Sequence, residues 1–205
     1  SPIPGVRYLP FDETRAECPA FNDAVLRAVL AEKDARVVVL AGRWDVYATG
    51  NLLLTLDGEQ PSIEASRQLF VSSLRKLLST LADSGRHVIL VGQVPLPPPE
   101  AVVCVGRARF RGLDENRCAI DESRERARTE SLVNQLLLEA VFHLESSVQT
   151  VHPYELLCPN HHCMVQADGQ LLYVDESHLS SNGARLLESS LEKGITAASI
   201  AAKRP

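Results

Sequence analysis

The chain has 205 residues, 45% of them apolar and 23% charged, with a formal net charge of −5 and a pI of about 5.7. That length and composition suit one globular domain, residues 1–205, with a full hydrophobic core. The acidic balance argues against a nucleic-acid partner, and no apolar run approaches the roughly 20 residues that span a bilayer. Arg107, Arg109 and Arg111 make a short basic patch, read as a solvated loop. The opening Ser1-Pro2-Ile3-Pro4-Gly5 shows no signal-peptide pattern and is expected to lie inside a longer polypeptide.

Residues 19–33 read as a helix, with Phe21, Ala24, Val25 and Ala28 on one face. Residues 36–41, Arg-Val-Val-Val-Leu-Ala, are a continuous β-branched run of the kind buried on both faces of a parallel sheet. A loop is expected from Gly42 to about Gln60. The next helix is expected from about Pro61 to Ala82, with Ile63, Phe70, Leu74, Leu77, Leu78 and Leu81 in one stripe and a proline suited to the first turn. Asp83-Ser84-Gly85 ends it, and His87 to Val91 is a second buried strand.

Pro95, Pro97, Pro98 and Pro99 forbid regular structure next, and a long irregular excursion is expected as far as Asp121. Residues 122–146 return to helix, with Leu132, Val133, Leu136, Leu137, Ala140 and Leu144 on one side. Val148 to Val151 is a short strand. Met164–Gln166 and Leu171–Val174 are expected to pair as a hairpin across Asp168-Gly169. Ser180 or Ser181 caps the last helix, with Ala184, Leu187 and Leu191 inward. Strands alternating with helices imply an α/β fold, a mostly parallel sheet with helices on both faces. Ligands bind such sheets at the carboxyl ends of the strands.

Five cysteines are present, Cys18, Cys104, Cys118, Cys158 and Cys163, so pairing within the chain leaves one over. Cys158-Pro159-Asn160-His161-His162-Cys163 suits a small disulfide-closed loop. The histidines within it make a metal site the competing reading, but no second cysteine pair stands at zinc-ligand spacing. Cys104 and Cys118 flank an Arg/Gly-rich segment that a second disulfide would close, leaving Cys18 over. Two such loops imply a compartment outside the cytoplasm.

The segment with the most chemistry is Tyr173-Val174-Asp175-Glu176-Ser177-His178-Leu179-Ser180. A strand is expected to end at Val174, placing Asp175 and His178 between it and a capped helix. At this offset a carboxylate in a turn meets an imidazole, fixes its tautomer and stabilises its charged form, leaving the other ring nitrogen to take a hydroxyl proton. The plainer reading makes Asp175 a turn cap and packs His178 at the helix start. His87, His143, His152, His161 and His162 have no comparable context and read as structural.

This block resembles the last block of the SGNH hydrolase superfamily, where an Asp-x-x-His element supplies two members of a catalytic triad. It is most similar to the SGNH domain fused to membrane-bound acyltransferase-3 proteins. Further stretches carry the resemblance in order: Cys18 to Asn22; Val37 to Tyr47, which includes Gly42-Arg43-Trp44-Asp45; Val94-Pro95 with Cys104 and Cys118; and Leu157 to Cys163, followed by Leu172 to Asp175, His178 to Ser180 and Gly183-Ala184. The resemblance implies a flavodoxin-like three-layer α/β/α fold and a periplasm-facing or extracellular domain, tethered to the inner membrane. It implies transfer of an acyl group, usually acetyl, to a hydroxyl of a cell-surface glycan, the donor being delivered by an upstream membrane domain, with no cofactor or metal.

Two departures stand out. The family's nucleophile lies in a Gly-Asp-Ser element after the first strand, and no such triplet occurs here. The chain is therefore expected to lack the first strand and its serine, and to be inactive alone. Ala82-Asp83-Ser84-Gly85 is the nearest match, but it precedes a strand and so sits at the wrong end of the sheet. Where typical SGNH enzymes carry Gly-x-Asn-Asp, this chain carries Gly42-Arg43-Trp44-Asp45. Backbone N–H groups near Gly42, or the Arg43 side chain, would then bind the developing oxyanion, with Trp44 and Tyr47 stacking on a sugar. The alternative packs Trp44 at the sheet edge and gives Arg43 a structural ion pair. Two other functions keep the scaffold: a secreted SGNH esterase or deacetylase, and a non-catalytic glycan-binding module.

Overall fold

The computed structural model describes residues 7–9, 18–49, 53–55, 62–121 and 132–201. They fall into two compact units, each discontinuous in sequence.

The first unit runs to Gly92 and takes back Leu132–Val151 and the chain from Gly194. Its elements are β1 (Arg7–Leu9), α1 (Cys18–Ala31), β2 (Val37–Leu40), α2 (Asp45–Ala48), β3 (Leu53–Thr55), α3 (Ile63–Asp83) and β4 (His87–Val91). Three further elements meet them: α5 (Gln135–Val141), β6 (Val148–Val151) and the later turns of α8 (Glu188–Ala201). Strands β2, β4 and β6 form a parallel sheet with β4 central, Val38 opposite Val88 and Ile89 opposite Gln149. The β-branched run at 37–40 and the apolar run at 87–91 therefore become strands, as their composition requires.

Alternation along the strands assigns the faces. Val88 and Leu90 pack with Phe70, Leu74, Leu77, Leu78 and Leu81 of α3 and with Leu136, Leu137 and Ala140 of α5. Leu26, Val29 and Leu30 of α1 add to the same cluster. Ile89 points the other way, where Gly194 of α8 lies so close that a Cβ there would sit 2.9 Å from its Cδ1. Helices on both faces of a parallel sheet make this the three-layer α/β architecture. Strand β2 is the sheet edge among the described residues, and its Val39 is 46% exposed. An apolar groove of about 670 Å³ runs beside it, lined in part by Phe21, Val25, Val39, Tyr47 and Leu81.

Helix α3 starts where Ser62 accepts the Ala65 N–H (3.1 Å) and ends where Gly85 takes φ +81°. Buried Arg86 follows, and its Nη2 donates to the carbonyls of Val29, Leu30 and Glu32. It so adds donors to the carbonyls at the C-terminal end of α1, where the intrahelical pattern runs out.

Two expectations here need correction, and one, the helix-ending turn at Asp83-Ser84-Gly85, is met. The stretch from Gly42 to Gln60 holds α2 and β3 rather than loop alone; β3 pairs antiparallel with β1, and buried Leu54 takes the hydroxyl of Ser66 on its N–H (2.8 Å). The helix expected over 122–146 ends at Val141, because His143 takes φ +70° and turns the chain toward β6; positions 122–131 lie outside the described residues. Ser84 caps a turn: its hydroxyl donates to Leu81 O (2.6 Å) and accepts from Arg86 (2.8 Å).

The second unit comprises Gln93–Ser131 and His152–Lys193. It contains α4 (Glu100–Phe110), β5 (Ile120–Asp121), α6 (Pro153–Leu157), β7 (His162–Cys163), β8 (Gln166–Ala167), β9 (Gln170–Leu171), α7 (Ser181–Arg185) and the start of α8. Helix α4 corrects the expectation of an irregular excursion from Pro95 to Asp121. The prolines end at its N-cap, Pro99, where a fixed φ suits a helix start. Ala101, Val105 and Ala108, at i, i+4 and i+7, then bury one face. Both expected disulfides are present, Cys104–Cys118 and Cys158–Cys163. The first ties α4 to the 3-10 turn Glu115–Cys118; the second closes the short loop that had the metal site as its alternative reading. The side chain of Cys18 lies outside the described residues. The hairpin forms with a narrower register than expected, Gln166 opposite Leu171, around Asp168 (φ +50°) and Gly169 (φ +72°). Two consecutive left-handed residues are the requirement of a type I′ turn.

Candidate active site

The chain from Leu172 to Gly183 folds back on itself within the second unit. Leu172 and Tyr173 are buried against Leu157, which anchors the start of the turn. Tyr173 bridges antiparallel to Leu179, and Val174 N–H donates to His178 O (2.9 Å). The segment is thus a tight reversal rather than the strand end expected at Val174. Its closing side is held by Ser180, whose hydroxyl donates to Leu171 O (2.6 Å) and accepts the Gly183 N–H (3.1 Å) as cap of α7. Gly183 passes so near Leu172 that a Cβ would fall 2.1 Å from its carbonyl oxygen. Only glycine permits that approach.

Asp175 sits at the apex and organises the turn. Its Oδ1 accepts the backbone N–H groups of Ser177 and His178, both at 2.8 Å, and the Ser177 hydroxyl at 3.2 Å. His178 Nδ1 lies 2.8 Å from Oδ2 and 3.0 Å from Oδ1. The backbone N–H of Ser177, then the His178 ring, hold the Asp175 carboxyl down to about 2. An ionised carboxylate only accepts hydrogen bonds, so Nδ1 carries the proton and Nε2 is the basic nitrogen of the neutral ring. Asp175 therefore both caps the turn and pairs with the ring: Oδ1 holds the backbone, and both oxygens lie within hydrogen-bond reach of Nδ1.

The His178 side chain is 72% exposed and that of Asp175 42%, so Nε2 is open to an incoming group. The Ser177 hydroxyl is 3.3 Å from Nδ1, the nitrogen already paired with Asp175, and is on the wrong side of the ring to lose a proton to Nε2.

Gly42, Arg43 and Trp44 belong to the first unit, between β2 and α2. Trp44 is 0% exposed; its Nε1–H donates to Val91 O at 2.9 Å and its ring lies 6.1 Å from that of Phe70. Tyr47 is buried too, stacked on Phe70 at 5.2 Å. The expectation that Trp44 and Tyr47 stack on a sugar is corrected: both rings are core, because an indole with its N–H satisfied gains by full burial. Gly42 is exposed, and a Cβ on it would touch the indole at 3.4 Å. Arg43 pairs with Asp45 (Nε to Oδ1 3.2 Å) and keeps part of its side chain in solvent. Residue type and chain position flagged Trp44, but they carry no measure of burial.

Among the described residues no group of three or more His, Cys, Asp or Glu side chains is placed to hold a metal ion. No helix among them is long and apolar enough to cross a membrane.

A family model described as an SGNH domain fused to AT3 domains matches residues 1–193. The chain belongs to this SGNH family. It is an acyltransferase-associated SGNH module, with esterase or acyltransferase chemistry in general terms, and fusion to AT3 membrane domains indicates a membrane-tethered protein. No curated protein matches the chain.

Proposed function

We propose that this SGNH domain moves an acyl group, acetyl in the simplest case, onto a hydroxyl of a cell-surface glycan on the outer side of the membrane. The observation that carries the reading is the Asp175–His178 pair, with Nδ1 held at 2.8 Å and Nε2 open to solvent. A serine from outside these 205 residues attacks the acyl carbonyl, and its proton passes to His178 Nε2. Asp175 stabilises the imidazolium, which then protonates the leaving group of the donor as the tetrahedral intermediate collapses to an acyl-enzyme. The glycan hydroxyl repeats the sequence: it gives its proton to Nε2, attacks the acyl carbon, and the serine leaves with that proton. The two disulfides support an oxidising compartment.

The test is acyl transfer by the full-length protein, with its membrane domain, to purified glycan. His178→Ala is expected to abolish both transfer and p-nitrophenyl acetate turnover without changing the fold. Turnover that survives His178→Ala overturns the proposal. Release of free acyl groups with no glycan product assigns the chemistry to an esterase.

A further inference from the structure

The basic patch read from the sequence as a solvated loop closes a helix: Arg107 and Arg109 lie in its last turn and Arg111 is its C-cap. Burial of Ala101, Val105 and Ala108 turns the opposite face of α4 outward. Val103, Arg107 and Phe110 lie on that face at i, i+4 and i+7, with Arg111 and Leu113 just beyond the helix end. Phe110 is 93% exposed, and Val103 and Leu113 are about half exposed. Among the described residues Phe110 is the large apolar side chain most exposed to water, with half-exposed Val103 before it and Leu113 after it along the chain.

The charges beside it are sorted. Arg109 is spoken for: Nε and Nη2 take both carboxylate oxygens of Glu115 (2.7 and 2.8 Å), and Nη2 also reaches Gly169 O (2.9 Å). Asp114 turns its carboxylate to the Asn116 N–H (3.0 Å). Arg107 and Arg111, beside Phe110, have no ion-pair partner among the described residues. A chain of net charge −5 thus presents two guanidinium groups without an ion-pair partner beside the most exposed aromatic ring among the described residues. Two cations answer an anionic surface, and the ring answers an apolar phase beneath it; a bilayer with anionic headgroups offers both within one layer.

We propose that this outer face of α4, Phe110 with Arg107 and Arg111, docks on the surface of an anionic phospholipid bilayer. The proposal rests on the membrane tether that comes with the AT3 fusion, not on the acyl-transfer chemistry, and the two fail independently. A tether raises the effective concentration of the patch at the bilayer, so a weak contact is enough to orient the domain.

The test uses the 205-residue chain with Phe110→Trp and vesicles brominated in the acyl chains. The native tryptophan, Trp44, is buried and stays silent. With vesicles containing phosphatidylglycerol at millimolar lipid, emission from the introduced indole is expected to shift to the blue and be quenched. With phosphatidylcholine alone the response is small. Adding R107Q and R111Q is expected to lower partitioning by about 25-fold, each arginine contributing about fivefold, and high salt acts in the same direction. Should the tryptophan variant fail to fold, flotation of the wild-type chain with the same vesicles, and its loss in R107Q/R111Q, decides the question. No quenching or flotation on phosphatidylglycerol vesicles overturns the proposal. So does Arg-dependent binding to soluble heparin without vesicle binding, or a dimer in sedimentation velocity that F110S abolishes.

Discussion

The sheet unit and the turn unit reach stability by different physical routes. In the first, β4 is buried on both faces and long apolar stripes on α3 and α5 close over it, so area removed from water dominates. In the second the strands are two residues long, the apolar clusters are small, and disulfides with side-chain-to-backbone hydrogen bonds hold the chain. The Asp175–His178 pair sits in that second unit, in a turn set by Leu172, Asp175 and Ser180 rather than by a long strand. A tight, polar turn held by hydrogen bonds keeps its ionisable groups at the surface, where a reacting group has access; the sheet unit buries the residues packed around its central strand, Trp44 among them through the Val91 carbonyl.

Perturbations are therefore expected to divide cleanly between the two. The largest separates chemistry from fold. In the full-length protein, His178→Ala is expected to lower the acyl-transfer rate by about 10³-fold or more and to leave the circular dichroism melt unchanged, since the side chain is exposed. Trp44→Ala is expected to destabilise the sheet unit by about 3–5 kcal/mol, read from urea unfolding, while the His178–Asp175 resonances keep their native shifts at low denaturant.

Cys104→Ser with Cys118→Ser is expected to cost about 3 kcal/mol, the chain-entropy value for a loop of about 15 residues. Hydrogen exchange should place the loss in α4 and the Glu115–Cys118 turn. Gly183→Ala forces a Cβ against Leu172 O and is expected to cost about 1–3 kcal/mol. It should also loosen His178, seen as a fall in transfer rate larger than the fall in melting temperature predicts.

The smallest effect is in pH. The folded Asp175 carboxyl is held at about 2, below its ordinary 3.8. Its contribution to stability is whole above about pH 4 and lost as pH falls through 2. Carbon NMR of the carboxyl should give a midpoint near 2 in the wild type, moving up when Ser177→Pro removes the first-named N–H donor. An unmoved midpoint would show that the backbone of the turn does not hold the charge.

Much of this was written in the sequence because it is local. A β-branched run, a stripe at helical spacing and an Asp-x-x-His offset depend on neighbours within a few residues, so β2, β4, β6, α3 and the Asp175–His178 contact followed from the residues themselves. The cysteines at 104, 118, 158 and 163 paired as spacing implied. Tertiary structure alone decided what depends on distant partners. It buried Trp44 by offering the Val91 carbonyl, set Arg86 on the end of α1, and required glycine at 183 by bringing Leu172 across it. It also made a helix of Glu100–Phe110, because Ala101, Val105 and Ala108 find a core to bury in. Burial is a property of two surfaces meeting, and one stretch of sequence contains only one of them.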